Sequence, residues 1–384
     1  MRRILFVANG HGENAIAARI AAEIGAASAT PVGLDLFPLV GTGAGVAPLA
    51  VVGPRATMPS GGLVAMGNVR AFSRDLAAGF AALFARQLAF LGTLPPYDAV
   101  VAVGDAFALA LALAARRPTV FVGTAKSVYV AHYGPVERTL LRRALRLFVR
   151  DAATAARLRG QGVPAEAPGN VIVDLTGPGG DAPAGRWLGL LPGSRDDAYG
   201  DGVRLARVAR ALAERVPGLG SLFSIAPTLA PERFIRALEA DGWSPADGPA
   251  DARHAAFAVR AGGALLVGWT GGLGSLLGAS AAVLGQAGTA NEQAAAAGIP
   301  VLALDRAAGS GSGAGADWYR MRQRRLLGDA LLLVPADPAA AAAAVASLLD
   351  DPGRLAAMSA AGRDRMGPPG GAAAIARAIL EVAA

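Results

Sequence analysis

The chain runs to 384 residues, 53% of them hydrophobic and 17% charged, longer than one ordinary core of about 150 to 200 residues and suited to two domains. Cysteine is absent, which excludes disulfides, thiolate nucleophiles and cysteine-based metal sites, and His11, His132 and His254 are too widely spaced for a His-x-x-His zinc motif. The formal charge is +7, and residues 1–180 hold 17 Lys+Arg against 10 Asp+Glu, so the first half carries all of the excess; without interleaved aromatics or a binding motif, that excess does not read as a nucleic-acid surface.

Residues 1–9, MRRILFVAN, join a charged start to a short apolar run, and Gly10–Asn14 follow where a secretory signal would stay apolar. The segment therefore reads as an opening strand over Arg3–Ala8, and the chain as cytoplasmic. The next corner, VANGHGENA over Val7–Ala15, puts His11, Glu13 and Asn14 on a glycine turn that lacks the third glycine of a dinucleotide fingerprint. Apolar helices around Leu76–Leu91 and Phe107–Ala115 are interrupted or shorter than the about 20 residues a membrane span needs. Strands are predicted at Ala99–Val103, Thr119–Val122 and Leu147–Val149, separated by helical stretches in the manner of strand-helix-strand units. Asp105 follows the first of these three strands, where a carboxylate serves either as a general base or as the cap of the next helix. The stretches Phe72–Gly92, with Arg74 and Arg86, and Val136–Arg150, with Arg138, Arg142, Arg143 and Arg146, are basic and apolar together. They read either as core helices with solvated faces or as a surface for peripheral docking on anionic lipid.

A Gly/Pro-dense segment, PGNVIVDLTGPGGDAPAGR over Pro168–Arg186, separates two strand series. The second series is predicted at Trp187–Leu191, Leu222–Ala226, Ala264–Val267, Ala282–Leu284, Val301–Leu304 and Ala330–Val334. The expected architecture is α/β, with two doubly wound, Rossmann-like domains facing each other across a cleft. Residues 1–175 form the first domain, 176–186 a linker, 187–350 the second domain, and 351–384 C-terminal helices that cross back towards the first. The Ala307–Ala316 loop, AAGSGSGAGA, reads as plain flexible chain or as a flap.

Ligands of open α/β sheets bind beyond the carboxyl ends of the strands, at helix N-termini. Two corners of the second half fit that position. In WLGLLPGSRDDAYGD (Trp187–Asp201), Ser194 is placed to cap a helix, and Arg195 sits where the helix dipole disfavours a cation unless an anion lies between; the alternative is a solvent-facing arginine. In GQAGTANEQAAAAGIPVLAL (Gly285–Leu304), Gly288 permits close backbone approach, Thr289 offers a hydroxyl, and Asn291, Glu292 and Gln293 lie in the first helical turn.

The stretches LLPGSR, AGTANEQAAAAGIPV and GVPAEAPGNVIVD (Gly162–Asp174) resemble those of lipid A disaccharide synthase in order and separation, and the arrangement is similar to two-domain GT-B glycosyltransferases. The resemblance covers most of the chain and lies nearest to the synthase-related group. It implies a UDP-sugar donor, GlcNAc-type favoured, held in the second domain by the Gly193-Ser194-Arg195 and Gly288-Thr289-Ala290 turns with Gln286. It also implies an inverting transfer to a lipid or lipid-linked acceptor at the inner face of a membrane, with no metal and no cofactor. Where the synthase places a glutamate on the donor ribose this chain has Gln293, with Glu292 one position earlier. Gln323, in DWYRMRQRRLLGD, matches a glutamine set against the donor sugar, or belongs to the exposed face of a basic helix. Asp105 matches a catalytic aspartate and His11 is the competing base, with Glu13 and Asn14 on the acceptor side. Two other readings are a nucleotide-sugar epimerase of the same fold and a non-catalytic descendant that binds a nucleotide or a protein.

Overall fold

The computed structural model describes the chain outside residues 42, 44–45, 57–72, 75 and 306–313, and outside the side chains of His11 and 314–319. The His11 side chain and most of the Ala307–Ala316 loop, both singled out above, thus lie outside what is described. The chain forms two units, Met1–Leu175 with Gly367–Ala384, and Thr176–Met366.

In the first unit the order is β1 (Arg2–Ala8), α1 (His11–Ala27), β2 (Val32–Pro38), β3 (Ala50–Val51), α2 (Phe80–Gly92), β4 (Ala99–Gly104), α3 (Ala106–Ala114), β5 (Thr119–Gly123), α4 (Pro135–Leu141), β6 (Arg146–Val149), α5 (Ala152–Arg159), β7 (Ala165–Glu166) and α6 (Val171–Asp174). The seven strands lie in the order β3-β2-β1-β4-β5-β6-β7, each pair parallel. Every residue of β4 is buried, as a continuous apolar run must be when helices cover both faces of a parallel sheet. Ile4, Phe6 and Val101 pack on one face, and Leu5, Val7 and Val100 on the other. Sheet order reverses between β1 and β4, so the corners carrying Glu13 and Asp105 adjoin.

In the second unit the order is β8 (Arg186–Leu191), α7 (Ala198–Ala213), β9 (Leu219–Ser224), α8 (Pro231–Ala240), β10 (Ser244–Pro245), β11 (Ala255–Ala261), β12 (Ala264–Trp269), α9 (Leu273–Ala279), β13 (Ser280–Gly285), α10 (Thr289–Ala296), β14 (Val301–Asp305), α11 (Ala314–Leu327), β15 (Leu331–Pro335), α12 (Pro338–Leu349) and α13 (Pro352–Met366). Its sheet reads β10-β11-β12-β9-β8-β13-β14-β15. The β10-β11 and β11-β12 pairs are antiparallel, so this sheet is mixed at one edge. Here the switch point falls between β8 and β13.

The last helix, α14 (Gly371–Val382), belongs to the first unit and packs on α1, burying Ile375 and Ile379. Its attachment explains the Gly-Asn-x-x-x-Asp run. Asn170 caps α6 through the Ile172 N–H at 3.2 Å, while the Asp174 carboxylate accepts from the N–H groups of Gly370 at 2.6 Å and Ala372 at 2.7 Å. At Gly169, with φ 146°, a Cβ would stand 2.8 Å from the Gly371 nitrogen. Bare backbone meets bare backbone there.

Candidate functional site

A cavity of about 710 Å³ opens inside the second unit, beyond the carboxyl ends of β8, β9, β12 and β13. That volume is within the range that holds a drug-sized or nucleotide-sized ligand. Gly193, Ser194 and Arg195 line it after β8, and Gln286, Gly288, Thr289, Ala290 and Glu292 line it after β13. The two glycine corners picked out in the sequence therefore share one wall. They are about 90 residues apart, and the switch in strand order brings them together.

The α10 corner is anchored from α11. Gln323, 7% exposed, donates through Nε2 to the carbonyls of Ala287 at 3.0 Å and Gly288 at 3.1 Å. Its Oε1 accepts from Asn291 Nδ2 at 3.2 Å and from Arg320 Nη1 at 2.8 Å. Arg320 also donates to Gln286 Oε1, and Asn291 to the Gly285 carbonyl. Both halves of the Gln323 amide are thereby engaged within the protein. Beyond the corner, the first N–H groups of α10 have no intrahelical acceptor and the positive end of the helix dipole is at the cavity.

Within α10, successive side chains are rotated by about 100°. Glu292 lines the cavity, whereas Gln293 is buried outside the lining and Asn291 is turned towards Gly285 and Gln323. A carboxylate thus stands at the cavity one position ahead of the place that the resemblance singles out.

The β8 corner departs from expectation in one respect. Ser194 caps no helix, because a turn over Arg195–Asp197 intervenes, closed by Ala198 N–H to the Arg195 carbonyl at 2.9 Å, and α7 starts at Ala198. The Ser194 carbonyl instead accepts the Thr228 hydroxyl at 3.1 Å. Arg195 is exposed and, among the described residues, has no ion-pair partner. Asp196 pairs with Arg233 at 3.1 Å, and Asp201 with Arg204 at 2.7 Å.

Sequence reasoning overlooked several lining residues: Thr270, Gly271 and Gly272 after β12, Ile225–Pro227 after β9, and Arg320 and Arg322 on α11. The Thr-Gly-Gly after an apolar strand was a legible signal of the same kind as the other corners. The arginines were not, since Arg320, Arg322, Arg324 and Arg325 crowd one stretch of α11 and nothing local separates those that reach the cavity from those that do not.

In the first unit, the corners after β1 and β4 bring together Asn9, Glu13 and Asp105. A Cβ at Gly104 would lie 3.3 Å from Glu13 Cγ and 3.6 Å from Asn9 Cβ. Asp105 caps α3, its Oδ1 accepting from the N–H groups of Phe107 at 3.0 Å and Ala108 at 3.1 Å, and its Oδ2 receives Asn9 Nδ2 at 3.4 Å. Burial first, and the Asp105 charge after it, push the Glu13 carboxyl up to about 7, with a backbone hydrogen bond acting the other way. Asn14 is buried, and its Oδ1 has no hydrogen-bond partner among the described residues.

No family model and no curated protein matches the chain. Solved structures do match along its whole length. A putative UDP-N-acetylglucosamine 2-epimerase from Listeria monocytogenes aligns at TM-score 0.56 and 13% identity, over 98% of this chain and 94% of that one. Staphylococcus aureus MnaA, solved with UDP, aligns at 0.55 and 14%, over 98% and 95%. Phytolacca americana UGT2, complexed with UDP-2-fluoro-glucose and pterostilbene, aligns at 0.58 and 13%, over 100% of both. The chain has the GT-B fold. In GT-B terms, the cavity belongs to the C-terminal Rossmann-like half and the Glu13–Asp105 corner to the N-terminal half.

Proposed function

We propose that this chain is a UDP-sugar-dependent enzyme that holds the nucleotide sugar in the second unit and transfers the sugar, with inversion, to a hydroxyl of a lipid or lipid-linked acceptor. The observation that carries the reading is the cavity at the β8/β13 switch point, walled by two glycine corners, a helix N-terminus and Arg195, Arg320 and Arg322. A diphosphate suits that wall: backbone N–H groups, the α10 dipole and guanidinium groups all favour negative charge. Glu292 suits hydroxyls, which donate strongly to a carboxylate.

In this reading a general base takes the proton of the acceptor hydroxyl, the oxygen attacks the anomeric carbon, and the bond from that carbon to the UDP oxygen breaks. The departing diphosphate is stabilised by the corner N–H groups and the arginines, so the step needs no metal. Asp105 and His11 are the candidate bases of the resemblance; of the described carboxylates in the first unit, Glu13 suits the role better than Asp105, because its raised pKa matches neutral pH while Asp105 is engaged as a cap. Similarity to lipid A disaccharide synthase supports the lipid acceptor, as do exposed Leu88, Val136 and Leu145 on stretches that also expose Arg86, Arg142 and Arg143. Among the described residues no helix is long and apolar enough to cross a membrane.

Epimerisation of the nucleotide sugar is the second reading, favoured by the number of UDP-N-acetylglucosamine 2-epimerases among the structures of like fold. Calorimetry with UDP and UDP-N-acetylglucosamine tests the shared part: no heat at millimolar ligand ends both readings. Incubation with the nucleotide sugar alone separates them, since an epimerase turns over without acceptor whereas a transferase needs host membrane lipid.

A further inference from the structure

We infer that Gln323 is a positioning residue for the diphosphate, acting through the backbone of the α10 corner and through Arg320, and does not itself contact the sugar. This rests on the UDP-sugar reading above and deepens it. The side-chain amide of Gln323 has two donors and one two-lone-pair acceptor. The donors are spent on the Ala287 and Gly288 carbonyls and the acceptor on Asn291 and Arg320. A ligand hydroxyl would have to break one of these bonds to gain another.

What the amide does is aim its neighbours. Pinning two successive carbonyls fixes the peptide planes on either side of Gly288, and so fixes the N–H groups that open α10. The same amide oxygen orients Arg320, whose other arm reaches Gln286 on the far side of the corner. Backbone donors and cation are thereby held as one unit at the cavity wall. Asn291 ties this unit to the end of β13 through the Gly285 carbonyl at 3.2 Å, so its frame is the sheet itself.

The test measures binding of uridine, UDP and UDP-N-acetylglucosamine by calorimetry for wild type, Gln323→Ala and Gln323→Met. The methionine variant keeps length and adds no charge but removes the donors, and a thermal melt checks that each variant folds. Positioning predicts that UDP and UDP-N-acetylglucosamine weaken by the same factor in both variants, about tenfold to a hundredfold for two lost hydrogen bonds. Uridine, lacking the diphosphate, should bind as to wild type. Loss confined to the sugar nucleotide, with UDP unchanged, would mean direct sugar contact and overturn the inference. So would unchanged UDP affinity, or an equal loss of uridine, which marks general damage to the cavity. If wild type binds none of the three, the UDP-sugar reading itself fails.

Discussion

At the scale of single residues, Glu13 gives the most direct pH dependence. Burial pushes its carboxyl up to about 7 in the folded protein, against 4.5 ordinarily. The folded state therefore holds the proton more tightly, and the stability this brings is present below pH 4.5 and lost as pH rises towards 7. The full shift corresponds to about 3 kcal/mol, an upper bound because Glu13 is in part reached by water. Glu13→Gln should unfold in urea with stability near wild type at pH 4.5 and gain about 1 to 3 kcal/mol over wild type at pH 8. An equal difference at both pH values would remove the buried-carboxyl account. If Glu13 is the base, activity of the wild type also rises through pH 7, and the variant lacks that limb. Gly285 offers a second residue-scale test. A Cβ there would overlap the Asn291 carboxamide, so Gly285→Ala must push Asn291 off both its partners. The expected cost is about 1 to 3 kcal/mol in chemical denaturation, with weaker UDP binding.

At the scale of elements, the C-terminal helix illustrates how a short motif secures a distant segment. Asp174 accepts from two N–H groups at the start of α14 and places a negative charge at its positive end. Asp174→Ala is predicted to cost about 1 to 2 kcal/mol. Hydrogen exchange should speed up along α14, with α10 unchanged; protection retained on α14 would show that its packing on α1 suffices. Elements also show where sequence reading stopped. The predicted strands in β1, β4–β6, β8, β9 and β12–β15 were legible because buried strands are short apolar runs, broken at most by a Gly or Ser. By contrast β2, VGLDLFP, contains an aspartate and ends on proline, and β11, AAFAVRA, is a partly exposed antiparallel strand, alanine-rich and carrying Arg260. Asp35 is tolerated within β2 because Arg3 reaches it at 2.9 Å and the Tyr97 hydroxyl at 2.7 Å, partners 32 and 62 residues away. Such compensation is not visible in a local window.

At the scale of the whole molecule, the cavity lies inside one unit, so ligand protection should be local. UDP at a hundred times its dissociation constant is expected to stabilise the folded protein by about 2.7 kcal/mol. Hydrogen exchange should slow at the corners after β8 and β13 and at Arg320–Gln323, and remain unchanged at Asn9–Asn14. Protection that appears only in the first unit would contradict placement of the nucleotide in the second.

Two doubly wound units and the two glycine corners that line the cavity followed from the sequence alone, because apolar strand runs, glycine turns and helix starts are local patterns with local causes. Which side chains of those corners face the cavity did not. The difference between Glu292 and Gln293 is one rotation step of a helix, set by how α10 is seated against Gly285 and Gln323. The role of Gln323, read as an exposed or sugar-facing residue, depends on two carbonyls some 35 positions earlier in the chain. Glu13 gains its raised pKa only when β1 and β4 become neighbours and bring Asp105 and burial to it. Contacts and desolvation are properties of packed neighbours, and only the tertiary structure decides who the neighbours are.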